Sequence, residues 1–360
     1  MKYEKPPLSL SEQVDQLIKR GLKVRKKEDA GKVLSEINYY RLSAYFRPFQ
    51  RDKKEHIFCP NASFNEVLKL YRFDTSLRNI LSSIIESAEV FARVRITYHL
   101  VTKYKDPFCF TNKSLFSKKF RGEQLEREDF RKICACNGNK ICINALWKEL
   151  NNKKWIDNKG TKRPKEDRDR FPINWGKTLI TSIINIFKEV PHDKWLSKMN
   201  SSIKTSKEEF VRHYMKTYFE DTGHFPFWMV SEIISFGQLS KLYSGLNHND
   251  KTEIAKLYGL SSRVFGQWLH SIVYLRNMCA HHSRIWNRIL EIAPVKPGKS
   301  KGKGVWNNRV FSQLLVLKHL TPDKFKWNIV VWKIQLLLWQ YRLVDLSAMG
   351  FPVDWKKYLK

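Results

Sequence analysis

Acidic residues are scarce in this chain: its 360 residues hold 35 Asp and Glu against 66 Lys and Arg, a formal net charge of +31. A deficit of that size suits a polyanionic partner and has no use for a small neutral metabolite. Long apolar runs are missing too. The most apolar stretch, Ile329 to Trp339, is interrupted by Lys333 and Gln335 and falls short of the roughly 20 residues that cross a bilayer. No membrane partner is expected. Met1 to Pro7 lead into a polar helix start without an apolar leader core, so a cytoplasmic location is expected. Six cysteines, with Cys59, Cys109 and Cys279 scattered, do not make a disulfide framework. Alternating β-branched runs and internal repeats are absent, which removes sheets and solenoids. What is present is 42% hydrophobic and 13% aromatic residues, ample for one or two packed cores and too much for a disordered basic tail. Twelve Trp, 14 Tyr and 22 Phe also offer stacking platforms for bases.

The charge is concentrated. Residues 111–205 hold 22 basic against 11 acidic residues, and residues 291–360 hold 13 against 4. Loop punctuation runs through both. In the first, Lys153, Lys154, Lys162, Arg163 and Lys165 are candidate RNA contacts; in the second, Lys296, Lys299, Lys301, Lys303 and Arg309 lie in a stretch from Glu291 to Asp323 with no acid between. Arg41 and Arg47 are interleaved with Tyr39, Tyr40, Tyr45, Phe46 and Phe49. Such a block can stack bases, although core packing is the commoner use of aromatics. Cys134, Cys136 and Cys142 lack the two-residue gap of a zinc knuckle and no His follows at finger spacing, so no metal or cofactor is expected.

Helical signals dominate. Ser9-Leu10-Ser11-Glu12 is a capping box that opens a helix with Val14, Leu17 and Ile18 on one face, closed by Gly21. A second helix is expected over about Asp29 to Ile37, and a long one from Asn65 to about Val101, where apolar residues recur at 3.6-type spacing without Gly or Pro. Pro226 opens another, running toward Gly237, and a further pair carries Ile254, Leu257, Val264, Trp268, Ile272 and Leu275. The expected fold is all-α. Its organisation reads as an N-terminal helical unit (1–60), a helical domain (61–290) interrupted by a basic insertion at about 116–204, and a basic loop with C-terminal helices (291–360).

The stretch from Tyr274 to Arg288 concentrates Arg, His and Asn. On a helical projection at about 100° per residue, Arg276, Asn277, His281, Arg284, Asn287 and Arg288 share one polar face. His282 falls among Met278, Ile285 and Trp286, as a residue that packs or orients. The chemistry such a face supports is metal-free RNA cleavage: an imidazole of unperturbed pKa about 6.5 takes the 2′-OH proton while a guanidinium steadies the phosphate. Arg276 and His281 are the candidate catalytic pair. Glu232 is a carboxylate that pairs with an Arg or orients Arg276.

Arg276-Asn277-Met278-Cys279-Ala280-His281-His282-Ser283-Arg284-Ile285-Trp286-Asn287 resembles the RN-x-CAHH-x-R-x-WN signature of the Abi-like proteins of the AbiD/AbiF group, abortive-infection proteins with a HEPN domain. Three further blocks agree in order: Ile37 to Tyr45, Tyr71-Arg72-Phe73-Asp74 with Leu77-Arg78, and Phe225 through Glu232 to Leu239. The resemblance implies a HEPN-type bundle and a ribonuclease-like toxin of phage defence, bound and controlled by a structured non-coding RNA and cutting single-stranded RNA. In HEPN nucleases two R-x4-6-H motifs build one site; one copy per chain implies a homodimer. Carried over, Arg276 holds phosphate and His281 is the acid/base, with Asn277, His282 and Arg284 in support. A non-catalytic RNA-binding scaffold and a DNA-binding regulator are the competing readings.

Overall fold

The computed structural model describes residues 6–122, 190–298 and 305–360. Fourteen α-helices, four short 3₁₀ turns and one two-stranded hairpin make up the regular structure among those residues, and the fold is all-α. The chain divides into two compact units, one of Met1–Phe91 with Gln267–Lys360 and one of Ala92–Gly266.

The first unit opens with α1 (Leu10–Lys19), where the expected capping box is present. The Glu12 N–H donates to Ser9 Oγ at 3.3 Å and the Ser9 N–H donates to the Glu12 carboxylate at 2.7 Å. Gly21 then takes φ 92°, a conformation costly for any residue with a Cβ. Helices α2 (Lys27–Glu36) and α3 (Tyr39–Phe46) follow, the latter capped by the Asn38 side chain. A hairpin of β1 (Gln50–Asp52) and β2 (Ile57–Phe58) comes next. Strands of three and two residues are too short to leave a period-2 pattern, which is why the sequence hides them. Helix α4 (Phe64–Tyr104) extends a few residues beyond its expected bounds and buries Val67, Leu70, Leu77, Leu81, Ile84, Ile85 and Ala88 in the first unit.

The second unit holds α5 (Pro191–Thr205), α6 (Glu209–Thr217), α7 (Phe219–Thr222), α8 (Phe227–Ile233), α9 (Phe236–Gly245) and α10 (His248–Lys256). Part of the expected basic insertion is core here: α5 buries His192, Trp195, Met199 and Ile203. The helix opened by Pro226 stops short of Gly237, because Ser235 caps α9 with a capping box to Gln238. Arg93 closes the open end of α8, its Nη1 donating to the carbonyls of Ser231 and, at 2.7 Å, Ile234.

Helix α11 (Ser262–Ala280) leads back into the first unit, which ends with α12 (Val310–Leu320), α13 (Lys324–Gln340) and α14 (Lys356–Leu359). Indole N–H groups pin a loop and a helix end there: Trp268 to the Val295 carbonyl at 2.8 Å and Trp327 to the carbonyl of Leu359, the last residue of α14, at 2.6 Å.

Candidate active site

Helix α11 carries the first half of the Arg/His motif and ends inside it. The His281 N–H still donates to the Asn277 carbonyl at 2.9 Å, but the His282 N–H donates to Cys279 at 3.1 Å and the Ser283 N–H to Met278 at 2.8 Å. That pair of bonds, with His282 at φ 54°, is a Schellman cap built on a histidine where glycine is usual. The helical projection therefore fails beyond Ala280. Arg276, Asn277, His281 and His282 are all exposed, and His282 does not pack among Met278, Ile285 and Trp286 as projected; those three are buried themselves.

A buried carboxylate fixes where the chain goes next. Asp74 on α4 is fully buried, and it accepts the Ile285 N–H at 3.2 Å and the Trp286 N–H at 2.7 Å. Its remaining partners are the Tyr45 hydroxyl at 2.5 Å and the Arg78 guanidinium at 2.6 Å. Burial holds the Asp74 carboxyl above its ordinary value, and the Tyr45 hydroxyl, Arg78 and the two N–H groups oppose the rise. Every partner is a donor, so the ionised form is the one this network satisfies. Arg78 also reaches the Ser283 carbonyl at 3.4 Å, and Arg41 on α3 donates to the His282 carbonyl at 3.1 Å. The far side is tied by Arg309, which bonds Asn287 Oδ1 at 3.1 Å and the Ala348 carbonyl at 3.0 Å.

Three sequence blocks distant in the chain thus meet at one loop: Arg41 and Tyr45 from the first, Asp74 and Arg78 from the second, residues 282–286 from the third. The model of the family described as Abi-like protein matches residues 32–287, which contain all three. The chain belongs to the Abi-like protein family. No curated protein and no solved structure matches it. Membership supports a part in abortive-infection phage defence.

In this Abi-like protein the exposed side of α11 faces a groove of about 330 Å³, lined by Arg276 and Ala280 with Ser82, Glu86, Glu89 and Val90 of α4. The motif cysteine is not chemically available, since burial pushes the Cys279 thiol up to about 11. Arg284 is half-buried; burial pulls its guanidinium below the usual value, and the charges of Arg288 and Arg47 add to that while Tyr45 and Asp74 oppose it. Arginines 41, 47, 284 and 288 therefore gather around the histidine loop, an arrangement that an anion relieves. Of the aromatic block, Tyr45 and Phe46 are core and Tyr40 is exposed. Lys296 is exposed, and Glu232 is an exposed residue of α8 in the second unit. Lys153, Lys154, Lys162, Arg163, Lys165, Lys299, Lys301 and Lys303, like Cys134, Cys136 and Cys142, lie outside the described residues.

Among the described residues, one group has metal-ligand geometry: His99, Asp250 and Glu253 in the second unit, their ligand atoms within 4.8 Å of one another. A cation is already there. Lys103 Nζ sits 2.7 Å from Asp250 and 2.6 Å from Glu253, which makes the cluster an ion-pair staple.

The sequence reading missed Tyr45, Asp74 and Arg78 as the residues that hold the loop. A signal was available: Asp74 and Arg78 are charged residues, four apart, inside the apolar stripe of Leu70, Leu77 and Leu81, and charge on a core face demands a partner.

Proposed function

We propose that this protein is a HEPN ribonuclease-like toxin of abortive infection that binds RNA, is controlled by a structured non-coding RNA, and cleaves single-stranded RNA without metal. The observation that carries the reading is the Asp74 network, which ties down the chain just past two histidines while Arg276, His281 and His282 stay open to solvent. Rigid support under exposed polar groups is what pre-organised chemistry needs and what a passive surface does not.

The step balances as a transesterification. The His281 imidazole takes the proton of a ribose 2′-OH as its oxygen bonds to phosphorus. The bond from phosphorus to O5′ breaks, and O5′ takes a proton from the protonated imidazole, an imidazolium, of a second copy in a homodimer, leaving a 2′,3′-cyclic phosphate, a 5′-hydroxyl and a neutral second imidazole. Arg276 holds the non-bridging oxygens, a role for which its planar fork is suited. Arg41, Arg47, Arg284 and Arg288 supply phosphate contacts that position the strand. DNA lacks the nucleophile.

The test uses protein stripped of nucleic acid in high salt and incubated with end-labelled single-stranded RNA in EDTA, beside Arg276→Ala and His281→Ala. Cleavage to cyclic-phosphate ends is expected, with each substitution lowering the rate by about 10²- to 10⁴-fold. RNA that is bound but never cut, with or without the regulatory RNA, supports the scaffold reading instead. Preference for duplex DNA supports the third.

A further inference from the structure

Helix α13 is apolar on both sides. One face is core, with Trp327, Val330, Val331, Ile334 and Leu337 buried. The other should be polar on a surface helix, yet it presents Phe325 (73% exposed), Ile329 (37%), Trp332 (60%), Leu336 (46%) and Trp339 (65%). The spacing is four, three, four, three. That alternation is the seam of a coiled coil, in which each residue drops between four of a facing helix. No acidic residue lies on the helix, and the whole of it falls outside the 32–287 family match.

We infer that this stripe is a self-association seam, occupied by the same helix of a second copy of the chain, the two running parallel. Nucleic acid is the poorer occupant: bases stack on aromatics, but Ile329 and Leu336 alternate with them and offer a base nothing. The extent also points to a protein partner. Three aromatics of roughly 150–250 Å² each, all more than half exposed, with two aliphatics, supply the larger part of the about 800 Å² that each side contributes to a standard interface. Charge then selects the direction. In a parallel pair the flanking positions that meet are Asn328 with Lys333 and Gln335 with Gln340, so no like charges face each other. An antiparallel pair brings Lys333 against its own copy across the axis. The seam rests on exposure and spacing alone and stands whether or not RNA is cut, though it gives one particle two copies of Arg276 and His281.

Sedimentation of full-length, nucleic-acid-free protein in about 1 M salt tests this, because that salt leaves a Debye length of about 3 Å and dissolves charge- or RNA-bridged assemblies. A dimer is expected for the wild type, and a monomer with unchanged far-UV circular dichroism for Trp332→Glu/Leu336→Glu, a weakening of about 100-fold or more for two central apolar anchors. Ile329→Cys tests the direction: its sulfur meets its own copy only in a parallel pair, so mild oxidation should give a covalent dimer that the wild type does not. A wild type that stays monomeric at every concentration, or a double variant that stays dimeric, overturns the seam. Absence of the Ile329→Cys cross-link in a dimeric protein overturns the parallel arrangement.

Discussion

Two fully buried aspartates, one in each unit, are built from the same parts and do different things. Asp74 has Arg78 at 2.6 Å and the Tyr45 hydroxyl at 2.5 Å; Asp250 has Lys103 at 2.7 Å and the Tyr104 hydroxyl at 2.8 Å. The cation comes from α4 both times. The difference lies in the remaining lone pairs. Asp74 spends them on the Ile285 and Trp286 N–H groups, and its Arg78 is buried with it. At Asp250 the cation is a Lys one-third exposed to water and shared with Glu253. The first carboxylate organises a loop, and the second fastens α10 to the end of α4.

That difference predicts unequal losses. Asp74→Ala leaves a buried guanidinium without its counter-ion and two loop N–H groups unpaired, which costs about 3–5 kcal/mol. Asp250→Ala costs about 1–3 kcal/mol, because Lys103 keeps Glu253 and water. Urea unfolding measures both, and hydrogen exchange at residues 281–287 should rise in the first variant alone. Equal losses, or unchanged exchange after Asp74→Ala, would break the comparison.

The parts of this molecule legible in the sequence are those set by local rules. The Ser9 capping box, the span of α4 and the all-α fold follow from caps and 3.6-residue periodicity, and they stand in the structure within a few residues. Arg276 and His281 were visible as residue types at a suggestive spacing. Their setting was not, because it depends on a carboxylate more than 200 residues away in sequence and on a helix end that no glycine announces. A projection assumes that a helix continues; the bonds to Cys279 and Met278 show that this one stops at Ala280, and the contacts at Asp74 fix the path beyond.

The helix ends sharpen the comparison at a smaller scale. In the second unit the left-handed positions after α7 and α10 are Gly223 and Gly259, each at φ 65° with open space where a Cβ would stand. In the first unit the equivalent position after α11 is His282 at φ 54°. A side chain there costs about 1–2 kcal/mol, partly offset by the chain entropy a glycine would lose. His282→Gly should therefore stabilise the fold by about 0.5–1 kcal/mol in thermal melts, while Gly259→Ala destabilises it by about the same amount. If His282→Gly is also slower on RNA, a side chain is kept in a strained position for its chemistry. Unchanged or lower stability would mean that the loop, not the residue, sets the conformation.

The smallest effect lies at the exposed edge of the second cluster. Glu253 is held below its ordinary carboxylate value by the hydrogen bond from Lys103, with the Lys103 and His99 charges adding to it against a little burial. A depressed folded-state value means that the folded protein holds this carboxylate ionised more readily than the unfolded chain does. Its contribution is therefore fully present above the unfolded value, near 4.5, and is lost as pH falls through the lower folded one. With the side chain 44% exposed, water and salt screen the pair, and about 0.2–1 kcal/mol is the scale to expect. Glu253→Gln should lower stability by that amount at pH 7 and low salt, less at about 1 M salt, and not at all below the folded value, where the wild-type side chain is itself neutral. Asp74→Asn should show no such relief in salt, because ions do not reach a buried pair. A Glu253→Gln defect that persists in acid would mean the side chain acts by packing, and the two aspartate clusters would then be more alike than their exposure implies.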